Sequence, residues 1–170
     1  MKEKCKASIN DFIIKAAAHA LQKVPTVNSQ LHGDCIRKYK NADISIAIAT
    51  EHGLITPIIR NANEKSLLEI SEESKRLASL AKERRIKPED YEGGTFTISN
   101  LGMYGIKSFQ AIINEPQSAI LAVGEVCKES GKMQATLSCD HRVIDGAVGA
   151  QWLKVFKEVL ETASENLITE

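Results

Sequence analysis

The residues of this chain best suited to chemistry lie in one run near its C-terminus, Asp140-His141-Arg142-Val143-Ile144-Asp145-Gly146. His141 can gain and lose a proton near neutral pH, and two carboxylates and a guanidinium stand within four residues of it. The run follows a segment of strand character and precedes one of helical character, and catalytic groups are often set where a rigid element stops. Spacing alone leaves a structural histidine and a general base both open. A metal site is a first rival, but only Cys139 and His141 could share one face of a strand, and two ligands are too few. A serine hydrolase is a second, yet there is no Gly-x-Ser-x-Gly elbow to present a nucleophile. Dinucleotide and phosphate loops are absent too, because Gly102 and Gly105 lack the third glycine and the helix such loops need.

A chain of 170 residues can bury one sizeable core and is expected to form one domain spanning 1–170. With 43% hydrophobic and 26% charged residues it has globular rather than disordered composition. Lys plus Arg and Asp plus Glu each total 22, so no net field draws a nucleic acid or an acidic membrane. The densest basic cluster, Lys82, Arg84, Arg85 and Lys87, is interrupted by Glu83 and falls near a helix end, where positive charge suits the dipole. Phosphate binding is the alternative there. Cys5, Cys35, Cys127 and Cys139 show neither zinc-type nor disulfide-type spacing, which fits a reducing compartment. The N-terminal lysines, Phe12-Ile13-Ile14 and Ala18-His19-Ala20 imitate a secretory leader, but Lys15 and His19 interrupt the apolar run. An amphipathic helix is the reading, and no run is long enough to span a bilayer.

These residues need elements to position them. Ile9, Phe12, Ile13, Ala16, Ala17, Ala20, Leu21 and Val24 form one helical face, with Ser8 or Asn10 as cap and Pro25 after the end. His19 lies off that stripe and is expected to be solvated or lightly packed. Asp43–Thr50 and Leu54–Ile59 read as a hairpin about Glu51-His52-Gly53, with His52 at its surface and Pro57 marking an edge or bulge. Ser66 to Arg84 reads as a helix whose Ser66 and Glu69 match a capping box. A turn around Pro88 and the pair Gly93-Gly94 lead into a strand at Thr95–Ser99. An irregular stretch follows, then a buried strand at Ala119–Gly124 and a polar turn at Lys128–Lys132. A returning strand, Met133–Cys139, precedes a helix carrying Val148, Trp152, Val155, Phe156, Val159 and Leu160 on one stripe.

Asp140 to Gly146 resembles the Asp-His-Arg-x-x-Asp-Gly signature of the acyltransferase core component of 2-oxo acid dehydrogenase complexes. Gly93-Gly94-Thr95-Phe96-Thr97-Ile98-Ser99-Asn100-Leu101-Gly102 and Gly53-Leu54-Ile55-Thr56-Pro57 look like two further family segments, in the family's order. The likeness covers nearly the whole chain. Met103–Val123 and Cys139–Trp152 are most similar to the pyruvate branch, the dihydrolipoamide acetyltransferases. The resemblance implies an α/β fold like that of chloramphenicol acetyltransferase: a mixed β-sheet flanked by helices, in trimers with active sites between neighbouring subunits. It implies coenzyme A as a substrate and a lipoyl group supplied by a separate lipoyl domain. In a full-length parent it further implies a larger core, with decarboxylase and dihydrolipoamide dehydrogenase components as partners, in a bacterial cytoplasm or a mitochondrial matrix.

The chemistry follows from the groups. A thiol of pKa near 8.5 is only about 3% thiolate at pH 7, so a base is required. Neutral His141 is the expected base, a role worth roughly 10² to 10⁴ in rate. By resemblance Ser99, delivered from a neighbouring chain, donates to the oxyanion of the tetrahedral intermediate, and losing such a donor costs about 10² to 10³. Without the resemblance, Ser99 reads as a strand-end hydroxyl satisfied by backbone. Asp145 matches the family's second acidic position and is expected to orient or support the histidine loop. Asp140 and Arg142 could form a structural ion pair. Ser99, Asn100, Gly124 and Val126 match family residues lining the coenzyme A channel.

The resemblance also brings departures. The family's catalytic domain begins before the position matching Met1, with an arm, a strand and a helix, and neither a lipoyl nor a peripheral-subunit-binding domain accompanies this sequence. The Val126–Met133 connection is short, and Ala49 stands where the branched-chain branch has an acidic coenzyme contact. A noncatalytic scaffold of the same complex and a stand-alone acyltransferase acting on a small acceptor are the competing readings.

Overall fold

The structure, a computed structural model, describes residues 7–51 and 53–166, with side chains through residue 162; Cys5 and His52 lie outside the described residues. Helix α1 (Ile9–Lys23) begins at Ser8 rather than Asn10, because Ser8 and Asp11 satisfy each other's backbone N–H groups reciprocally. Its buried surface is wider than a stripe. Ile13, Ile14, Ala16, Ala17, Ala18, Ala20 and Leu21 are all inaccessible, while Ile9 is 59% exposed. The run of alanines lets α1 sit closely between two other helices, α2 (Leu67–Lys82) and α4 (Gly146–Asn166). As expected, His19 is exposed and α2 starts at a Ser66–Glu69 capping box.

The main sheet comprises β3 (Ile44–Thr50), β4 (Gly53–Ile55), β5 (Ile58–Ile59), β6 (Phe96–Asn100), β7 (Ala119–Val123) and β8 (Ala135–Cys139). Its order is β4-β3-β6-β7-β8, with β5 also on β3. β3, β6 and β7 run parallel, while β4, β5 and β8 are antiparallel to their partners, so the sheet is mixed. Pro57 splits the second arm of the expected hairpin in two, although its carbonyl still accepts from Ile46 N at 2.8 Å.

Strand alternation gives the sheet two unlike faces. Ile44, Ile46, Phe96, Ile98, Ala119, Leu121 and Val123 join the three long helices in one core, closed by Trp152, whose ring lies 5.2 Å from Phe96 and 5.3 Å from Phe156. The opposite face carries Ser45, Ala47, Thr97, Ser99, Ile120, Ala122, Thr136 and Ser138, mostly small or polar. Ile120 and Ala122 are buried there, outside the helical core cluster.

Besides a 3-10 turn at Gly102–Tyr104, two features were not expected from sequence. A two-stranded hairpin, β1 (Ser29–His32) and β2 (Cys35–Lys38), turns at Gly33-Asp34, and a single helical turn, α3 (Pro88–Tyr91), replaces the turn around Pro88.

Candidate active site

His141 sits in a tight turn between β8 and α4, and the turn is held from several directions. Asp140 N donates to Ser118 O at 2.8 Å, tying the turn to the start of β7, and Val143 N and Ile144 N both donate to Asp140 O at 2.9 Å. Ile144 is fully buried beneath it. The Asp140 carboxylate receives Arg142 Nε and Nη2, the latter at 2.7 Å, and also Arg142 N at 3.0 Å. This fork closes around the histidine, and the hydrogen bond from Arg142 holds the Asp140 carboxyl below the usual carboxylate range. His141 itself is exposed. Asp145 is spent locally: its Oδ1 accepts from Val148 N at 2.8 Å, capping α4.

Ser99 lies near the far end of β6, on the small-residue face. It is half-buried, paired in register with Ala47 on β3 and Ala122 on β7. Its hydroxyl has no hydrogen-bond partner among the described residues, so the backbone-satisfied hydroxyl is not what is found.

The register fixes how far apart the two residues are. Ser99 pairs with Ala122, and Ala122 with Thr136, whereas His141 follows Cys139, at the other end of β8. Three residues along β8 and two strand spacings across the sheet separate Ser99 from Cys139 by about 14 Å between Cα atoms. His141 lies beyond that. Within one chain the two residues cannot act on one bound molecule at hydrogen-bonding distance.

The remaining three expected residues collect at the Ser99 end. The Asn100 side chain is engaged structurally, donating to Asn10 Oδ1 at 3.3 Å and accepting from Gly102 N at 2.9 Å. Gly124 is a close-approach glycine: a β-carbon there would overlap the carbonyl of Lys107. Val126 is half-buried just beyond it. Gly94 has the same kind of reason for lacking a side chain, since a β-carbon would strike Ser45 Oγ.

A buried polar network behind this face was missed from sequence. Thr97 Oγ1 donates to Gln117 Oε1 at 2.5 Å, and Gln117 Nε2 donates to Ser45 Oγ at 3.3 Å. Gln30 Nε2 donates to Gly94 O at 2.8 Å, while Tyr39 donates to Gln30 Oε1 at 2.6 Å. Gln117 lies in an irregular segment and Gln30 in a strand of only four residues, so neither carries a periodic signal that would have marked it.

The sequence matches, over residues 1–168, the family model described as 2-oxoacid dehydrogenases acyltransferase (catalytic domain). The chain belongs to this acyltransferase family. It is 53% identical over 165 residues to the dihydrolipoyllysine-residue acetyltransferase component of the pyruvate dehydrogenase complex of Rickettsia conorii, covering 91% of this chain and 40% of the relative. It is 52% identical over 174 residues to component 2 of the corresponding mitochondrial protein of Arabidopsis thaliana, covering 95% and 32%. The chain therefore spans 40% or less of these two relatives.

Among solved structures, a probable dihydrolipoamide acetyltransferase from Listeria monocytogenes matches with TM-score 0.86 at 37% identity, covering 94% of this chain and 73% of that one. The dihydrolipoamide acetyltransferase of Azotobacter vinelandii and the cubic core of a pyruvate dehydrogenase multienzyme complex each match with TM-score 0.85 at 35% identity, covering 91% and 69%. In the Azotobacter protein a serine, a histidine and an asparagine four positions after it were investigated for the catalytic mechanism. At 18% identity and TM-score 0.60, covering 90% and 78%, chloramphenicol acetyltransferase shares the fold. The expected acyltransferase-family architecture is thus present, with its three long helices gathered on one side of the mixed sheet.

Proposed function

We propose that this chain transfers an acetyl group between a dihydrolipoyl thiol and coenzyme A, in a site formed by His141 of one copy and Ser99 of the next. The observation that carries the shared site is the placement of the two residues at opposite ends of one sheet. Neutral His141 takes the thiol proton as the sulfur attacks the thioester carbonyl carbon. The developing oxyanion accepts a hydrogen bond from the uncommitted Ser99 hydroxyl. Collapse breaks the original carbon–sulfur bond, and the departing thiolate recovers the proton from His141. No net charge is left on the protein.

Asp140 and Arg142 hold the histidine turn, and Asp145, four residues after His141, fixes the start of the helix behind it. The same interval separates the histidine and asparagine investigated in the Azotobacter protein. Asn100, Gly124 and Val126 line the coenzyme A end beside Ser99. Assembly into trimers and a larger core follows from this reading, with a lipoyl domain delivering the acyl group, and the decarboxylase and dihydrolipoamide dehydrogenase as partners of the full-length parent. The names of the relatives favour the pyruvate branch, with a bacterial cytoplasm or a mitochondrial matrix as the setting.

The deciding experiment is a His141→Ala variant assayed for transfer from acetyl coenzyme A to dihydrolipoamide. A fall in kcat of about 10² to 10⁴ is expected. Retention of most activity overturns the mechanism.

A further inference from the structure

A second basic region gathers where the end of α1 meets the β1–β2 hairpin. From Lys23 to Asn41 the sequence holds Lys23, Arg37, Lys38 and Lys40 against a single acid, Asp34. All four basic residues are exposed, and none has a carboxylate partner among the described residues. Gln22 Nε2 donates to Lys40 O at 2.9 Å and Lys38 Nζ to Thr26 Oγ1 at 3.4 Å, so β2 and the residues after it lie along the end of α1. One turn earlier on α1, partial burial and then the charges of Lys23 and Lys15 hold the His19 imidazole below its usual range. Ile36, on the same face of the hairpin as Lys38, adds an apolar side chain that is 49% exposed.

Local rules account for single members of this group. A cation suits the C-terminal end of α1, and charged side chains keep an edge strand such as β2 from pairing. Neither rule gathers four cations from a helix and a hairpin with so little opposing charge.

The region borders the His141 end of the sheet. Lys38 pairs with Ser29, Ser118 N donates to Ser29 O at 3.2 Å, and Asp140 N donates to Ser118 O at 2.8 Å. Three strand spacings, about 14 Å, therefore separate the Cα atoms of Lys38 and Asp140. Ser99 stands at the other end of the sheet, so within one copy the basic face lies beside the base and away from the coenzyme end. On the acetyltransferase reading, a thiol arriving at His141 is carried on a lysine of a separate domain, whose surface has to rest against the rim of the histidine turn. We propose that Lys23, Arg37, Lys38 and Lys40 are the docking surface for that domain and select acidic polypeptide around the lysine bearing the dihydrolipoyl group. The identity of the occupant rests on the acetyltransferase reading; its acidity rests on the unbalanced charge of the face.

The test offers three acceptors for transfer from acetyl coenzyme A: free dihydrolipoamide and two reduced lipoyllysine peptides of equal length. One peptide is flanked by aspartate and glutamate, the other by serine and glutamine. The unmodified chain should show a KM about tenfold lower for the acidic peptide, a preference that fades as salt is raised. A Lys23→Gln/Arg37→Gln/Lys38→Gln/Lys40→Gln variant, its fold checked by melting, should use both peptides alike. Its kcat and its KM values for dihydrolipoamide and coenzyme A should be unchanged. No preference in the unmodified chain, or the same preference in the variant, overturns the docking surface. So does an equal rise of KM for all three acceptors. If the unmodified chain acetylates none of them, yet binds the acidic peptide alone in a fluorescence anisotropy titration and loses that binding in the variant, the surface stands and the acetyltransferase reading falls.

Discussion

Ser99 and His141 stand at opposite ends of the same sheet, Ser99 in the row that runs through Ala122 to Thr136 and His141 beyond the last residue of β8. A site using both must therefore take one from each of two copies. His141→Ala and Ser99→Ala chains, each impaired alone, should complement when unfolded and refolded together. In random trimers about a quarter of the sites combine both intact residues, since each side is correct with odds of one half. Recovery of about that fraction of wild-type turnover is expected. No recovery in a mixture that has demonstrably reassembled would count against the shared site.

The Asp140–Arg142 fork predicts a kinetic effect distinct from loss of fold. Asp140→Asn removes the charge that orients the guanidinium while leaving the backbone bonds to Ser118, Val143 and Ile144 in place. Loosening the histidine turn should lower kcat by about 10 to 10² with KM nearly unchanged. Arg142→Lys should lower it similarly, because an ammonium cannot reproduce the two-pronged contact. Steady-state kinetics, with melting curves to confirm folding, separate the cases.

Gln117 should matter for stability far more than an isolated glutamine usually does. Gln117→Leu strands the buried hydroxyls of Thr97 and Ser45, which are each 1% exposed, and should cost about 2–4 kcal/mol in denaturant unfolding. Adding Thr97→Val removes one stranded donor and should return about 1 kcal/mol of the loss.

At Gly124 the expected coenzyme contact coincides with a packing demand. Gly124→Ala places a β-carbon against the Lys107 carbonyl and should destabilise the chain by about 1–3 kcal/mol, read from the unfolding midpoint. An unchanged midpoint would show that the Lys107 segment yields at no expense.

The thiols should separate by reactivity. Hydrogen bonds from the Ser130 hydroxyl and backbone hold exposed Cys127 below the usual thiol range, whereas burial pushes Cys139 up to about 11. Only the thiolate is alkylated, so at pH 8 iodoacetamide should label Cys127 well before Cys139. Timed peptide mass spectrometry reads the order, and Cys139 reacting first would contradict the burial described.

Local features are legible in the amino-acid sequence alone. The Ser66–Glu69 box, the hairpin before Pro57, the Trp152–Phe156 stripe and the Asp140–Arg142 pair all depend on residues within a few positions of one another, where periodicity and capping chemistry act. The β1–β2 hairpin escaped because its strands are four residues each and β2 is exposed throughout, leaving no alternation to read. The Gln117–Thr97–Ser45 network escaped because its members are brought together across 20 and 72 residues.

The sequence by itself put forward the candidate residues: His141 in its charged run and, through the family resemblance, Ser99 at the end of a strand. Only the tertiary structure decided where they stand. A parallel step from β6 to β7 followed by an antiparallel step to β8 sends the chain back along the sheet before His141 appears. Strand direction and register are properties of pairing between distant segments, so the separation of Ser99 from His141 exists only once the sheet has formed.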